Sequence, residues 1–251
     1  MKNLLLTALL ISFICPSLLG QVSVKDSSIS FPAFFISSSV QFPGGDLADR
    51  FGVSATIGGG AFYKMQSNWS IDGQYSFMFG NQIEEKDLLA NISTSTGAII
   101  GSDGRFADVR LFERGFQVSL TAGKLFPFKK PNPNSGLVLK AGPAFIQHKI
   151  KIDPVGNTVP QLSEEYQKGY DRLSSGFGFY EFIGYQYLGN KRRINFVTGI
   201  ELMQMSTKNQ RSYNFDLKAA DTEVKNDILI GIKFSWIVPL YKRSPDTFYY
   251  N

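Results

Sequence analysis

Thiols and imidazoles are almost missing from this chain, with one Cys and one His among 251 residues. The Cys is Cys15, inside a segment expected to be removed. The mature protein is then left without a disulfide scaffold, a thiolate metal site or a cysteine nucleophile. Charge is sparse as well, at 19%, and the formal net charge is only +5, or +4 once Lys2 is lost with the leader. That excess is too small for a nucleic-acid interface, which gathers basic residues on one face, so no nucleic-acid partner is expected. After Gln21 no apolar run approaches the roughly 20 residues that a membrane helix needs, and the mean hydropathy of −0.08 is close to neutral. A helical membrane bundle is excluded. If the mature chain crosses a bilayer, it must do so as a closed β-barrel. What the chain has in quantity is aromatic: 22 Phe and 11 Tyr within a 14% aromatic fraction, too much for a disordered chain.

The N-terminus carries Lys2, an apolar run from Leu4 to Ile14, then Cys15, Pro16 and Ser17 leading to Leu19-Gly20-Gln21. A basic start, a short apolar stretch and a small residue before a cut describe a secretion signal over 1–20. Cys15 is a poor lipidation site because Ile14 stands where a small residue is wanted, and Leu18 leaves the cut loosely defined.

Period-two alternation then recurs along the whole mature chain. It predicts eight strands, at about 32–42, 53–64, 68–79, 113–127, 136–152, 176–188, 194–206 and 227–240. The last is the clearest, with Ile228, Ile230, Ile232, Phe234, Trp236, Val238 and Leu240 on one face and Asp227, Gly231, Lys233 and Ser235 on the other. The third sets Trp69, Ile71, Tyr75, Phe77 and Phe79 against Ser70, Asp72, Gln74 and Ser76. The fourth and seventh repeat the pattern, whereas the sixth is apolar on both faces and its facing is unassigned.

Short links (65–67, the Pro-Asn-Pro-Asn turn near 131–134, and 189–193) alternate with long ones (43–52, 80–112, 153–175 and 207–226). Bacterial outer-membrane barrels show this asymmetry, with short periplasmic turns and long extracellular loops. A soluble barrel of the lipocalin kind would be apolar inside and charged outside, the reverse of what the readable strands offer. The fold class expected is therefore all-β: an eight-stranded antiparallel transmembrane β-barrel with short periplasmic turns and long extracellular loops. The expected division is a signal peptide (1–20), an N-terminal periplasmic segment (21–29), the barrel (30–241) and a periplasmic C-terminal tail (242–251). Outer-membrane lipid is the expected partner along the wall and the outer membrane the expected location.

These strands, loops and terminal pattern resemble small outer-membrane β-barrels of the OmpA-transmembrane, OmpX and PorT-like kind. The leader ending Leu-Gly-Gln and the Tyr/Phe-rich tail look like those of Bacteroidota-type bacteria. The resemblance covers residues 30–241 and rests on pattern, with no diagnostic motif. Two departures stand out. Only Lys242–Asn251 follow the barrel where an OmpA-like protein carries a peptidoglycan-binding domain, and the chain runs on past the last strand's aromatic residues. The PorT-like side of the resemblance implies a link to protein secretion across the outer membrane.

Among inward-facing charges, Asp72, Glu201 and Asp227 stand against Lys140 and Lys233. In a narrow barrel such charges are tolerable only as pairs, so a polar network built on Asp72, Lys140, Glu201 and Lys233 is expected to fill the lumen. The alternative is a charged solute pathway. His148 lies on the polar face of the fifth strand, toward the loops. A barrel palmitoyl transferase of similar size uses such a His with Ser and Asp, but no Ser-x-x-His or paired Asp–His signature points to a partner here. Gly58-Gly59-Gly60 precedes Ala61-Phe62-Tyr63, which is strand-like, so it is no phosphate loop and instead relieves crowding in the wall. Pro43-Gly44-Gly45-Asp46 is a turn, and Glu84-Glu85-Lys86-Asp87 is expected to be a solvated loop run. No catalytic set, cofactor site or metal site is assigned.

Loops longer than about 12–15 residues are usually functional or disordered. The loops at 80–112 and 153–175 also carry apolar residues that a solvating loop does not need: Ile83, Leu88, Leu89, Ile99, Ile100, Phe106, Leu111 and Phe112, then Val159, Leu162, Tyr166 and Tyr170. The leading candidate contacts are Leu88, Leu89, Ile99, Ile100, Phe106, Tyr166 and Tyr170. The function expected is that of a structural, accessory or interaction component working through its surface loops, in a secretion or uptake complex with another outer-membrane or periplasmic protein. A small solute channel or porin is the alternative, and a lipid-modifying enzyme using His148 comes third.

Overall fold

The structure, a computed structural model, describes residues 24–241 apart from 86, 129 and 158. The expected signal segment with Cys15 and the tail 242–251 lie outside the described residues. Eight antiparallel strands form one closed barrel: β1 (Phe31–Gly45), β2 (Ser54–Lys64), β3 (Trp69–Gly80), β4 (Val109–Pro127), β5 (Gly136–Pro154), β6 (Ser174–Leu188), β7 (Asn195–Asn209) and β8 (Val224–Pro239). Each strand pairs with the next in sequence, and β8 returns to β1 from Ala33↔Pro239 to Gly45↔Asp227. Closure leaves no edge, so every strand finds backbone partners on both sides, which is what a hydrocarbon environment demands.

The strands are where the alternation puts them, but several run further at the long-loop end. β4 begins at Val109, β5 continues to Pro154 and β6 begins at Ser174. Among the added residues Arg110 and Asp153 face outward, and the strands stay paired down to Val109↔Pro154. The readable alternation had ended there, but the hydrogen-bond ladder had not. The loops at this end are consequently 46–53, 81–108, 155–173 and 210–223.

β6 acquires its facing. Phe177, Phe179 and Ile183 lie outside, whereas Tyr180 and Phe182 are buried in the lumen. The polar inside that the alternation implied is corrected in one respect: the lumen is polar in layers. Along β8, Lys233 and Asp227 are separated by buried Leu229, and Ile237 follows toward the short turns. An eight-stranded interior is narrow enough to be filled by side chains, and apolar filling avoids unsatisfied polar groups. In β2, a Cβ on Gly58 would stand 2.2 Å from the carbonyl oxygen of Tyr75, and one on Gly60 would stand 2.1 Å from that of Gly73. β3 and β2 approach too closely there for any side chain.

Candidate functional site

Outside, the wall carries an apolar belt, with Ile232 63% exposed and Phe234 48% exposed on β8. Two rows of rings cross it. Tyr75, Phe116, Phe145 and Phe177 follow one another over β3–β6 with centroids 4.9–5.9 Å apart on the long-loop side. Tyr187, Phe196 and Phe234 do the same over β6–β8 on the short-turn side, at 5.3 and 5.9 Å. On β4 the belt runs between Arg114, stacked over Phe112, and Lys124, stacked over Trp69. Such girdles mark the two interfaces of a membrane barrel. One carboxylate breaks the belt: Glu181 points outward on β6, midway between Phe177 and Tyr185.

Inside, the polar residues named from the sequence form two pairs. Asp72 pairs with Lys140, and its second oxygen accepts a hydrogen bond from Ser70 Oγ at 2.8 Å. Glu201, 2% exposed, lies 3.4 Å from Lys233 Nζ. It also accepts from Ser39 Oγ (2.6 Å), Gln41 Nε2 (2.8 Å) and the Tyr180 hydroxyl (3.0 Å). Lys233 donates to Tyr180 (2.9 Å) and to Gln74 on β3, whose amide nitrogen donates to Ser76 Oγ at 2.8 Å. The room left among these side chains is about 30 Å³, enough for about one water.

The expectation that His148 lacks an acidic partner is corrected. Its Nε2 lies 3.2 Å from Asp227 Oδ2, which also accepts from Thr207 at 2.6 Å. The partner comes from β8, 79 residues away, beyond the reach of any local motif. His148 is buried, its ring meets Phe51 edge to face at 5.4 Å, and its Nδ1 has no hydrogen-bond partner among the described residues.

The short-turn mouth is closed by residues 24–31. Asn134, in the Pro-Asn-Pro-Asn turn, donates to the carbonyls of Val24 and Ser27, both at 2.9 Å, and its Oδ1 accepts from Lys64 Nζ at 3.0 Å. Tyr241 packs on Phe31 at 5.2 Å beneath Arg192, and burial pushes its phenol up to about 12.

At the other end the loops fold into a cap. Arg50 bonds Glu85 (3.2 Å) and Ser174 Oγ (3.0 Å). Arg172 bonds Glu85 (3.1 Å) and pairs with Asp216, and Arg211 Nε bonds Asp171 at 2.8 Å. Hydrogen bonding to Asp171 raises Arg211 above its already high range. Four loops are thereby tied together by charges from all of them. Glu85 is not the freely solvated residue expected of its run, since its carboxylate bridges two arginines. Beneath the charges lies a small apolar core containing Leu47, Phe51, Leu88, Ile99, Val159, Leu162 and Tyr170.

The expected contact set divides accordingly. Leu88, Ile99 and Tyr170 are corrected from surface contacts to buried members of the cap core, because a loop of this length needs a core of its own to hold one shape; Leu89 is packed partly against it. Ile100, Phe106 and Tyr166 are exposed, Phe106 by 76%. Ile83 bridges to Phe51, and Leu111 and Phe112 belong to β4. Sequence reasoning missed Arg50, Asp171, Arg172, Arg211, Tyr213, Phe215 and Asp216. Arg211, Tyr213, Phe215 and Asp216 were signalled only by charge and aromatic density in the last long loop, and Arg50, Asp171 and Arg172 were scattered over the other loops.

A closed ring with an apolar, ring-girdled outside and a filled lumen settles the architecture. The chain is an outer-membrane β-barrel. No protein-family model matches the sequence, and no curated protein does. Solved structures similar to this barrel include Neisserial surface protein A, at 13% identity, covering 82% of this chain and 96% of that one with a TM-score of 0.44. A major outer membrane protein from Thermus thermophilus gives 8%, 82%, 99% and 0.41. Ail, the attachment invasion locus protein of Yersinia pestis, gives 10%, 82%, 97% and 0.39. At such values the likeness carries nothing about what this barrel binds.

Proposed function

We propose that this barrel is a surface-interaction component of the outer membrane, a plugged anchor whose working part is the loop cap. The observation that carries the reading is the contrast between the barrel's interior and its long-loop end. The lumen is filled by paired charges and apolar layers, whereas the loops are held in one shape by ion pairs that leave Ile100, Phe106 and Tyr166 facing outward. The setting of His148 supports a non-catalytic role: a general base needs a nucleophile within reach, and the free nitrogen of this buried ring has no hydrogen-bond partner among the described residues. A partner that is another outer-membrane or periplasmic protein, and an affiliation with PorT-like barrels of Bacteroidota type, belong to the same proposal and rest on the sequence pattern.

Two measurements test it. A cysteine replacing exposed Ser95 should react with an impermeant maleimide on intact cells, whereas one replacing Lys130 should react only after lysis. Replacing residues 93–106 with a tight turn should leave folding and membrane insertion intact while abolishing co-purification of the partner and the associated cellular phenotype. Inverted labelling, or a shortened loop that keeps both partner and phenotype, overturns the reading.

A further inference from the structure

Three of the capping loops meet around an open cleft of about 570 Å³ lined by Asn91, Ile92, Pro160, Gln161, Tyr166, Tyr170, Tyr213 and Phe215, a size in the range of small-molecule sites. Phe215 is its floor. Tyr170 and Tyr213 meet that ring edge to face, at 5.3 and 5.9 Å, and Tyr166 tilts against it at 6.2 Å. The floor is pinned from below, since Phe215 N–H donates to the Gly169 carbonyl at 2.9 Å and a Cβ on Gly169 would fall 2.1 Å from the Phe215 ring. Asn91 donates to the Tyr170 hydroxyl at 2.9 Å, which holds loop 81–108 against loop 155–173 on the cleft wall. Tyr166 and Tyr213 form a half-exposed rim, and Gln161 is exposed beside them.

We infer that this cleft binds a neutral saccharide of one or two rings. The inference rests on the reading of the cap as the working surface, and it names the ligand class. Aromatic faces at a rim receive the C–H face of a sugar ring, while side-chain amides and phenols both donate to and accept from hydroxyls. Among the described residues no charged side chain lines the cleft, and three pairs beside it are spent on one another: Lys168 on Glu165 at 2.9 Å, Arg172 on Asp216, Arg211 on Asp171. A phosphate or sulfate would find no cation in this lining, and an ammonium no carboxylate in it to neutralise its charge. The four loops are tied before any ligand arrives, so binding orders little and a weak, many-point contact suffices.

The test is saturation-transfer NMR on the full chain in lipid nanodiscs, free of glycoside detergents. The probes are cellobiose, maltose, lactose and N,N′-diacetylchitobiose, each at millimolar concentration, with choline and phenyl phosphate as charged comparators. At least one disaccharide should receive saturation on its ring C–H protons. That transfer should fall at least fivefold in Tyr213→Ala and in Tyr166→Ala, and it should persist in Phe106→Ala, which is exposed on the same cap but outside the cleft. Tyr213→Phe should keep most of it, separating ring stacking from loss of fold. Transfer to none of the four sugars, transfer unchanged in both Tyr→Ala variants, or transfer confined to choline or phenyl phosphate overturns the proposal. If the Ser95 labelling and loop-replacement results hold while the sugars fail, the ligand class falls and the surface-interaction reading stands.

Discussion

Single side chains decide whether this barrel holds together, and Lys233 is the most exposed to test. It sits in the lumen between Glu201, Tyr180 and Gln74, and removing one partner of a buried pair leaves the other charge uncompensated. Lys233→Met should therefore destabilise the barrel by about 3–5 kcal/mol, measured by urea unfolding in lipid vesicles. Lys233→Met combined with Glu201→Met should recover much of the loss, because the pair is then replaced by apolar filling of similar volume. A double variant as unstable as the single one would show that the network has worth beyond satisfying its own charges. On the opposite face of the wall, Glu181 is a carboxylate in an apolar belt. Acidic residues on the lipid face cost less than the roughly 2–4 kcal/mol of a mid-membrane Arg or Lys, so Glu181→Leu should stabilise the barrel by about 1 kcal/mol in the same assay. A loss of stability instead would mean that Glu181 has a polar partner within the membrane.

At the scale of elements, the loops depend on one another more than on the strands that carry them. Arg172 joins loop 155–173 to Glu85 of loop 81–108 and Asp216 of loop 210–223. Arg172→Ala should open the cap, making all three loops sensitive to added protease while the barrel keeps its heat-modifiable migration on gels. Protection unchanged from the parent chain would move the cap's stability to the apolar core around Leu88 and Leu162. This division also explains what the sequence could and could not say. A strand that separates lipid from a filled lumen must alternate, so Ile228–Leu240 was legible one residue at a time. β6 was not, because Tyr180 and Phe182 fill the lumen with rings while Phe177 and Phe179 face lipid, and period two disappears when both faces are aromatic. The balance of charges in the lumen could be counted, but the pairing of Asp72 with Lys140 spans 68 residues and follows only from register. His148 with Asp227 and Arg172 with Glu85 are further contacts of that kind. The buried places of Leu88, Ile99 and Tyr170 were hidden because an apolar residue in a loop reads the same whether it faces a partner or a core.

Taken whole, the molecule is closed three times over: at the short turns by residues 24–31, in the middle by the paired charges, and above by the cap. Purified protein in planar bilayers should show no steady conductance, since about 30 Å³ of free space admits no hydrated ion path. Porin-like steps whose selectivity changes on Lys140→Glu would promote the solute-channel alternative in its place. The belt between Arg114 and Lys124 carries a further consequence. Ten residues of tilted strand at about 3.3 Å each rise roughly 25 Å along the membrane normal, and the bacterial outer membrane is thinner than most bilayers. This barrel is accordingly cut to a length, and mismatch with thicker lipid costs a fraction of a kcal/mol for every ångström. Refolded into phosphatidylcholine vesicles of increasing acyl length, it should be most stable in the short-chain lipids and lose stability stepwise as the chains grow, so that bilayer thickness alone favours one membrane of the cell over another.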